Sequence, residues 1–189
     1  MKKLVLLYII SLITLTDFAI GKKITDSKIK MLNGEYAKLY DFNRDGLAII
    51  NFWTTWWAFC ERQLAYIDQL NTHFKDYGLN ILAVNTNKPN ILNLVRPYIN
   101  KRKYKFKVAV DPRAELAKKF NVRATPALFI IDRDGTIIHK SAGYESGMEY
   151  TYLEKILDYY QSKGIDVEKF EYDKSQIEKY RDSEIRFDF

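Results

Sequence analysis

Cys60 is the only cysteine in the 189 residues. A thiol is a nucleophile only as its thiolate, so its surroundings decide whether it is a reagent or a core side chain. A lone thiol cannot close an internal disulfide, and the core alone must hold the fold. Two readings of Cys60 stand: a buried, unreactive core thiol, or a single-thiol site that forms mixed disulfides. It closes an unusually aromatic stretch, Asn51-Phe-Trp-Thr-Thr-Trp-Trp-Ala-Phe-Cys60. Sixty-five residues after Cys60 comes Thr125-Pro126, and X–Pro bonds adopt the cis form at modest cost. His73 and His139 are the only histidines. Neither has a partner at ligand spacing, so no metal site is expected and both are read as surface residues.

The elements that must position these residues follow from periodicity. Asn33-Gly34 is a strong hairpin turn and joins Lys28–Met31 to Glu35–Lys38. Leu47–Trp53 is a nearly continuous apolar run, the mark of a central strand buried on both faces. A helix is expected over about 60–77, because Leu64, Ile67, Leu70 and Phe74 form one apolar stripe. Strands are read at 79–84 and 106–110, with a helix from Pro89 to about Asn100 between them. A short helix spans 114–120. Strands at 127–132 and 136–140 are joined by the turn Arg133-Asp134-Gly135. A final helix runs over 148–161, with Tyr152, Ile156 and Tyr159 or Tyr160 facing inward. Strands alternating with helices imply an α/β fold with a parallel core sheet, made mixed by antiparallel edges.

The two chemistry-bearing segments resemble the exported thioredoxin-like thiol–disulfide oxidoreductases of the TlpA/ResA type. In that family the first stretch reads roughly Asn-Phe-Trp-Ala-Thr-Trp-Cys-x-x-Cys. The stretch Val122-Arg-Ala-Thr-Pro-Ala-Leu-Phe-Ile-Ile-Asp-Arg-Asp-Gly135 is similar to the family's cis-proline segment. The resemblance covers about 29–160 and implies a thioredoxin-like fold, a central mixed sheet flanked by helices. The Thr125–Pro126 bond is then expected to be cis, with Pro126 beside Trp57 and Cys60 in the first helical turn.

In the family's chemistry the first cysteine sits at a helix N-terminus, where unpaired N–H groups and the helix dipole stabilise its thiolate. It forms a mixed disulfide, and the second cysteine releases the product. Cys60 matches the second position. Trp57 occupies the first, and an indole cannot replace the nucleophile. The family also often carries an acidic residue where this chain has Gln63, and proline where it has Ala65; Glu61 is acidic but lies on another side of the helix. Trp53 and Trp56 match family tryptophans, which implies packing beside the site. Trp57 and Phe59 are read on the exposed loop, as an apolar lip. Trp56, Phe59, Thr125 and Pro126 are expected to meet a bound peptide, which pairs with the backbone before the proline as an added strand.

These residues imply a thioredoxin-fold oxidoreductase whose dithiol exchange is lost or crippled, with no cofactor. The alternatives are a redox-silent binding module using the groove between Trp57 and Pro126, or a selenocysteine site if residue 57 is a misread UGA codon. A peroxiredoxin-type peroxidase wants Pro-x-x-x-Thr-x-x-Cys. Thr54 fits that pattern, but Ile50 and Trp57 do not. The expected partner is a protein, cysteine-containing or extended. A net charge of +6 is mild and scattered, and nothing carries a nucleic-acid signature.

Residues 1–21 read as a signal peptide. Lys2 and Lys3 precede an apolar run from Leu4 to Leu15, and Ala19-Ile20-Gly21 offers small residues for cleavage. The run is short for a membrane span, so membrane contact is expected only if it stays uncleaved. Removing it takes away two lysines and one aspartate and leaves a charge of +5. The domain is expected over 22–163 in a periplasmic or other extracytoplasmic compartment. Residues 164–189 form a charged, aromatic C-terminal extension, read as lying on its own domain or as a docking tail.

Overall fold

The computed structural model describes residues 20–167. All but the last two residues of the expected signal segment and the greater part of the C-terminal extension lie outside them. A seven-stranded mixed sheet forms the frame. Its strands are β1 (Lys28–Met31), β2 (Tyr36–Lys38), β3 (Ala48–Trp53), β4 (Asn80–Asn85), β5 (Lys107–Val110), β6 (Ala127–Ile131) and β7 (Ile137–Ala142). They lie in the order β2-β1-β5-β4-β3-β6-β7. β3, β4 and β5 are parallel neighbours, whereas β6 runs antiparallel to β3. The hairpin expected around Asn33-Gly34 is β1–β2, and it adds to the sheet through β5.

Every residue of β3 is buried, as its unbroken apolar run requires of a strand covered on both faces. Ile49 and Trp53 face one layer of core, made by α1 (Ala58–Phe74), α2 (Val95–Arg102) and α4 (Met148–Ser162). Ile50 and Phe52 face the other, where α3 (Glu115–Lys119) and the 3-10 turn Leu39–Phe42 pack. The apolar stripe of α1 is buried as the spacing demands, through Leu64, Ile67, Leu70 and Phe74. In α4 it is Tyr152, Ile156 and Tyr160 that turn inward.

Two sequence expectations change. The helix read from Pro89 divides into a 3-10 segment, Pro89–Leu94, and the α-helix Val95–Arg102. Pro97 explains the break, because it has no N–H to continue an α-helical ladder and is tolerated only in a first turn. His139 is not a free surface residue. It is half-buried on β7, its ring 5.7 Å from that of Tyr152, and burial lowers its pKa.

The strand directions gather five loops at one end of the sheet. The C-terminal ends of β3, β4 and β5 lead there, as does the end of β7, and β6 starts there opposite Phe52. After β3 the chain goes to β4 and β5 on one side, and β6 lies on the other. Such a switch of direction is where open α/β sheets generally place a ligand crevice.

Candidate functional site

β3 ends at Trp53, fully buried, and its ring packs 5.1 Å from Tyr98 of α2. The chain then crosses four residues before α1 begins. Asn87, itself buried, holds this crossing. It accepts from Thr55 N at 3.1 Å and donates to Thr55 Oγ1 at 2.8 Å. Thr86 N donates to the Trp53 carbonyl at 2.9 Å. Nothing in the sequence singled out Asn87, whose role depends on β4 lying beside β3.

Trp57 is the N-cap residue of α1, in an extended conformation and with no side-chain cap hydrogen bond. Its carbonyl accepts from Cys60 N at 2.9 Å, so Cys60 lies in the first helical turn as expected. The Cys60 side chain is 0% exposed. Its Sγ lies 3.9 Å from Thr54 Oγ1, and the Thr125 side chain is near enough to lower the thiol's pKa slightly. Burial pushes the thiol's pKa up, and the hydroxyl and backbone contacts offset this only in part. The Thr125–Pro126 peptide bond is cis, and Pro126 is buried. Two segments 65 residues apart thus meet at one sulfur atom.

Beneath Cys60, Gln63 is also 0% exposed. Its Nε2 donates to Tyr152 Oη at 2.9 Å, and that hydroxyl lies 2.8 Å from Ser141 Oγ. Gln63 Oε1 and both amide atoms of Asn51 are buried without a hydrogen-bond partner. Glu61 points elsewhere. It is bound by Arg102 of α2, whose Nε donates to it at 2.6 Å. The Arg102 guanidinium also sits 3.8 Å over the Tyr98 ring.

The outer surface of the site is aromatic. Trp56 is 65% exposed, Trp57 40% and Phe59 36%. Trp56 is therefore not packed in beside the site: as the loop leaves β3, the one ring it meets among the described residues is Trp57, at 5.8 Å. Phe59 belongs to the first turn of α1 rather than to the loop. Its ring lies 5.4 Å from Trp57 and 6.1 Å from Tyr144, and the Arg62 guanidinium is 5.4 Å over it. Tyr144 extends the string of rings from the loop after β7. Its hydroxyl donates to Glu149, which also accepts from Gly147 N at 2.9 Å. No periodic pattern marks Tyr144 in the sequence; only the pairing of β7 with β6 brings its loop to this end.

A thioredoxin-like sheet, a helix starting at the site and a cis-proline loop against its first turn define the class as thioredoxin-fold proteins. Residues 20–140 match the AhpC/TSA family. The thiol-disulfide oxidoreductase ResA of Bacillus thuringiensis subsp. konkukian is 32% identical over 138 residues, 72% of this chain and 78% of that relative. The chain belongs to the AhpC/TSA family and groups there with the ResA thiol–disulfide oxidoreductases. Among solved structures, a DsbE-type thiol:disulfide interchange protein from Chlorobium tepidum shares the fold with a TM-score of 0.68. It is 23% identical, over 74% of this chain and 96% of that one. Peroxidoxin BcpB from Mycobacterium tuberculosis shares it with a TM-score of 0.64 at 16% identity, over 76% of this chain and 97% of that one.

Proposed function

We propose that this protein is an exported ResA-like member of its family that has lost dithiol exchange and kept the groove that holds an extended polypeptide. The carrying observation is the state of the one remaining thiol. Cys60 is fully buried, its pKa is raised, and the position in front of it is an indole. A thiolate nucleophile needs exposure and a lowered pKa, and Cys60 has neither. The release step alone, without an attacking sulfur, completes no turnover.

The groove does not depend on the missing sulfur. Among the described residues, no hydrogen bond engages the Thr125 main chain. An extended segment can pair there as a strand would, with Trp56, Trp57 and Phe59 beside it. Catalysis of disulfide reduction tests this reading. In an insulin turbidity assay the protein should reduce no faster than free thiols at equal concentration. Clear turnover would make Cys60 a working single-thiol catalyst. Reading the codon for residue 57 separates a natural tryptophan from a selenocysteine, which would restore a complete site.

A further inference from the structure

We infer that the segment held in this groove is acidic as well as aromatic: an extended polypeptide carrying bulky ring side chains with carboxylates next to them. This rests on the polypeptide-groove reading above and names the chemistry of its ligand.

Three observations carry it. The first is the string of rings. Trp56, Trp57, Phe59 and Tyr144 follow one another at 5.4–6.1 Å between centroids, and the first three are exposed. A contiguous apolar surface of this kind on a folded chain marks an interaction site. Aromatic side chains of a ligand gain most there, by offset or edge packing. The second is charge. Lys88, Arg113 and Arg123 are exposed on the loops at this end of the sheet, and Arg62 lies over Phe59. Glu115 and Glu145 are the exposed acids there, while Asp111 is buried and used to cap α3, accepting from Glu115 N at 2.8 Å. The rim is cationic on balance, which favours carboxylates and disfavours lysines in the ligand. The third is the main chain of Thr125, which offers both a donor and an acceptor. A phosphate backbone presents acceptors alone, so rings and cations here suit a peptide better than a nucleic acid.

The test uses the full chain and its own tryptophans. Trp53, Trp56 and Trp57 are the only three, so emission excited at the indole band reports Trp56 and Trp57 at the site over a constant contribution from the buried Trp53. The probes are Ser-Glu-Phe-Glu-Phe-Glu-Ser, the same peptide with Lys for Glu, and the same peptide with Ala for Phe. The Glu peptide should bind about five- to tenfold more tightly than the Lys peptide at low salt. That gap should close in ~0.5 M salt and narrow in Arg123→Glu. The Ala peptide should bind least. Equal affinity for the Glu and Lys peptides would overturn the acidic assignment and leave the groove reading standing. Failure of all three, with the Trp56 and Trp57 part of the emission freely quenched by acrylamide, would overturn the groove reading itself. Residues 168–189 hold seven acidic and five basic residues among Phe170, Tyr172, Tyr180, Phe187 and Phe189. Failure of all three with Trp56 and Trp57 also shielded from acrylamide would assign the groove to that segment and overturn a separate partner.

Discussion

Gln63→Glu restores the acid that the family often carries, and the structure sets what this does to stability. The new carboxyl would be 0% exposed. Tyr152 Oη would be its neighbour in place of the present 2.9 Å contact, and Asn51, on the same face of the sheet, offers no charge. Desolvation raises a buried carboxyl's pKa, by as much as several units when nothing compensates. A hydrogen bond from Tyr152 opposes this, so a shift of ~2 units above the ordinary ~4.3 is the expected size. The sign follows from linkage. A folded-state pKa above the unfolded one means the folded form holds its proton more tightly. The variant therefore matches the native protein below about pH 4 and loses stability as pH rises to about 6.5. The full loss is about 2.7 kcal/mol, at ~1.4 kcal/mol per unit. Urea unfolding of both proteins at pH 4 and pH 7.5, followed by circular dichroism, measures it as a difference of differences. A gap between the two proteins that does not change with pH would refute the buried placement of residue 63.

Other residues yield separate expectations. Burial raises the pKa of Cys60, so at pH 7 it stays a thiol rather than a thiolate. Ellman's reagent should titrate one thiol at once in denaturant and react at least about a hundredfold more slowly in the native protein; comparable rates would contradict the burial. Arg102→Ala removes the hydrogen bonds to Glu61 and the stacking on Tyr98, and should cost about 2 kcal/mol in urea unfolding. Arg102→Lys should recover only part of it, because an ammonium cannot reproduce the fork. Export should leave a mature chain beginning near Lys22, read by N-terminal sequencing; an intact Met1 in the membrane fraction would favour an anchor.

The strand and helix order was legible because burial writes directly onto period. β3 is apolar throughout as a doubly covered strand must be, and α1 repeats every three to four residues. The lone thiol and the cis-proline were legible as local motifs. What the sequence left hidden is contact across the fold. Trp56 looks like any core tryptophan until the loop direction is known, and it is exposed. Tyr144 and Asn87 reach the site through strand pairing, which no local pattern encodes. Phe59 moved from loop to helix because α1 starts two residues earlier than its apolar stripe suggests, within the usual uncertainty of a helix end.

Cys60 and the cis-proline are already placed for a nucleophile at residue 57. Residue 57 is the N-cap of α1, where the helix dipole and open N–H groups lower a thiol's pKa. Cys60 lies one turn on, and the Thr125–Pro126 bond is cis. Disulfide reductase activity of Trp57→Cys measures this most directly, with Trp57→Cys/Cys60→Ser to trap mixed disulfides. Turnover is expected from Trp57→Cys, none from the native chain, and a stable mixed disulfide from the double variant. A Trp57→Cys protein that folds, closes a disulfide between its new thiol and Cys60, and still shows no turnover would contradict it.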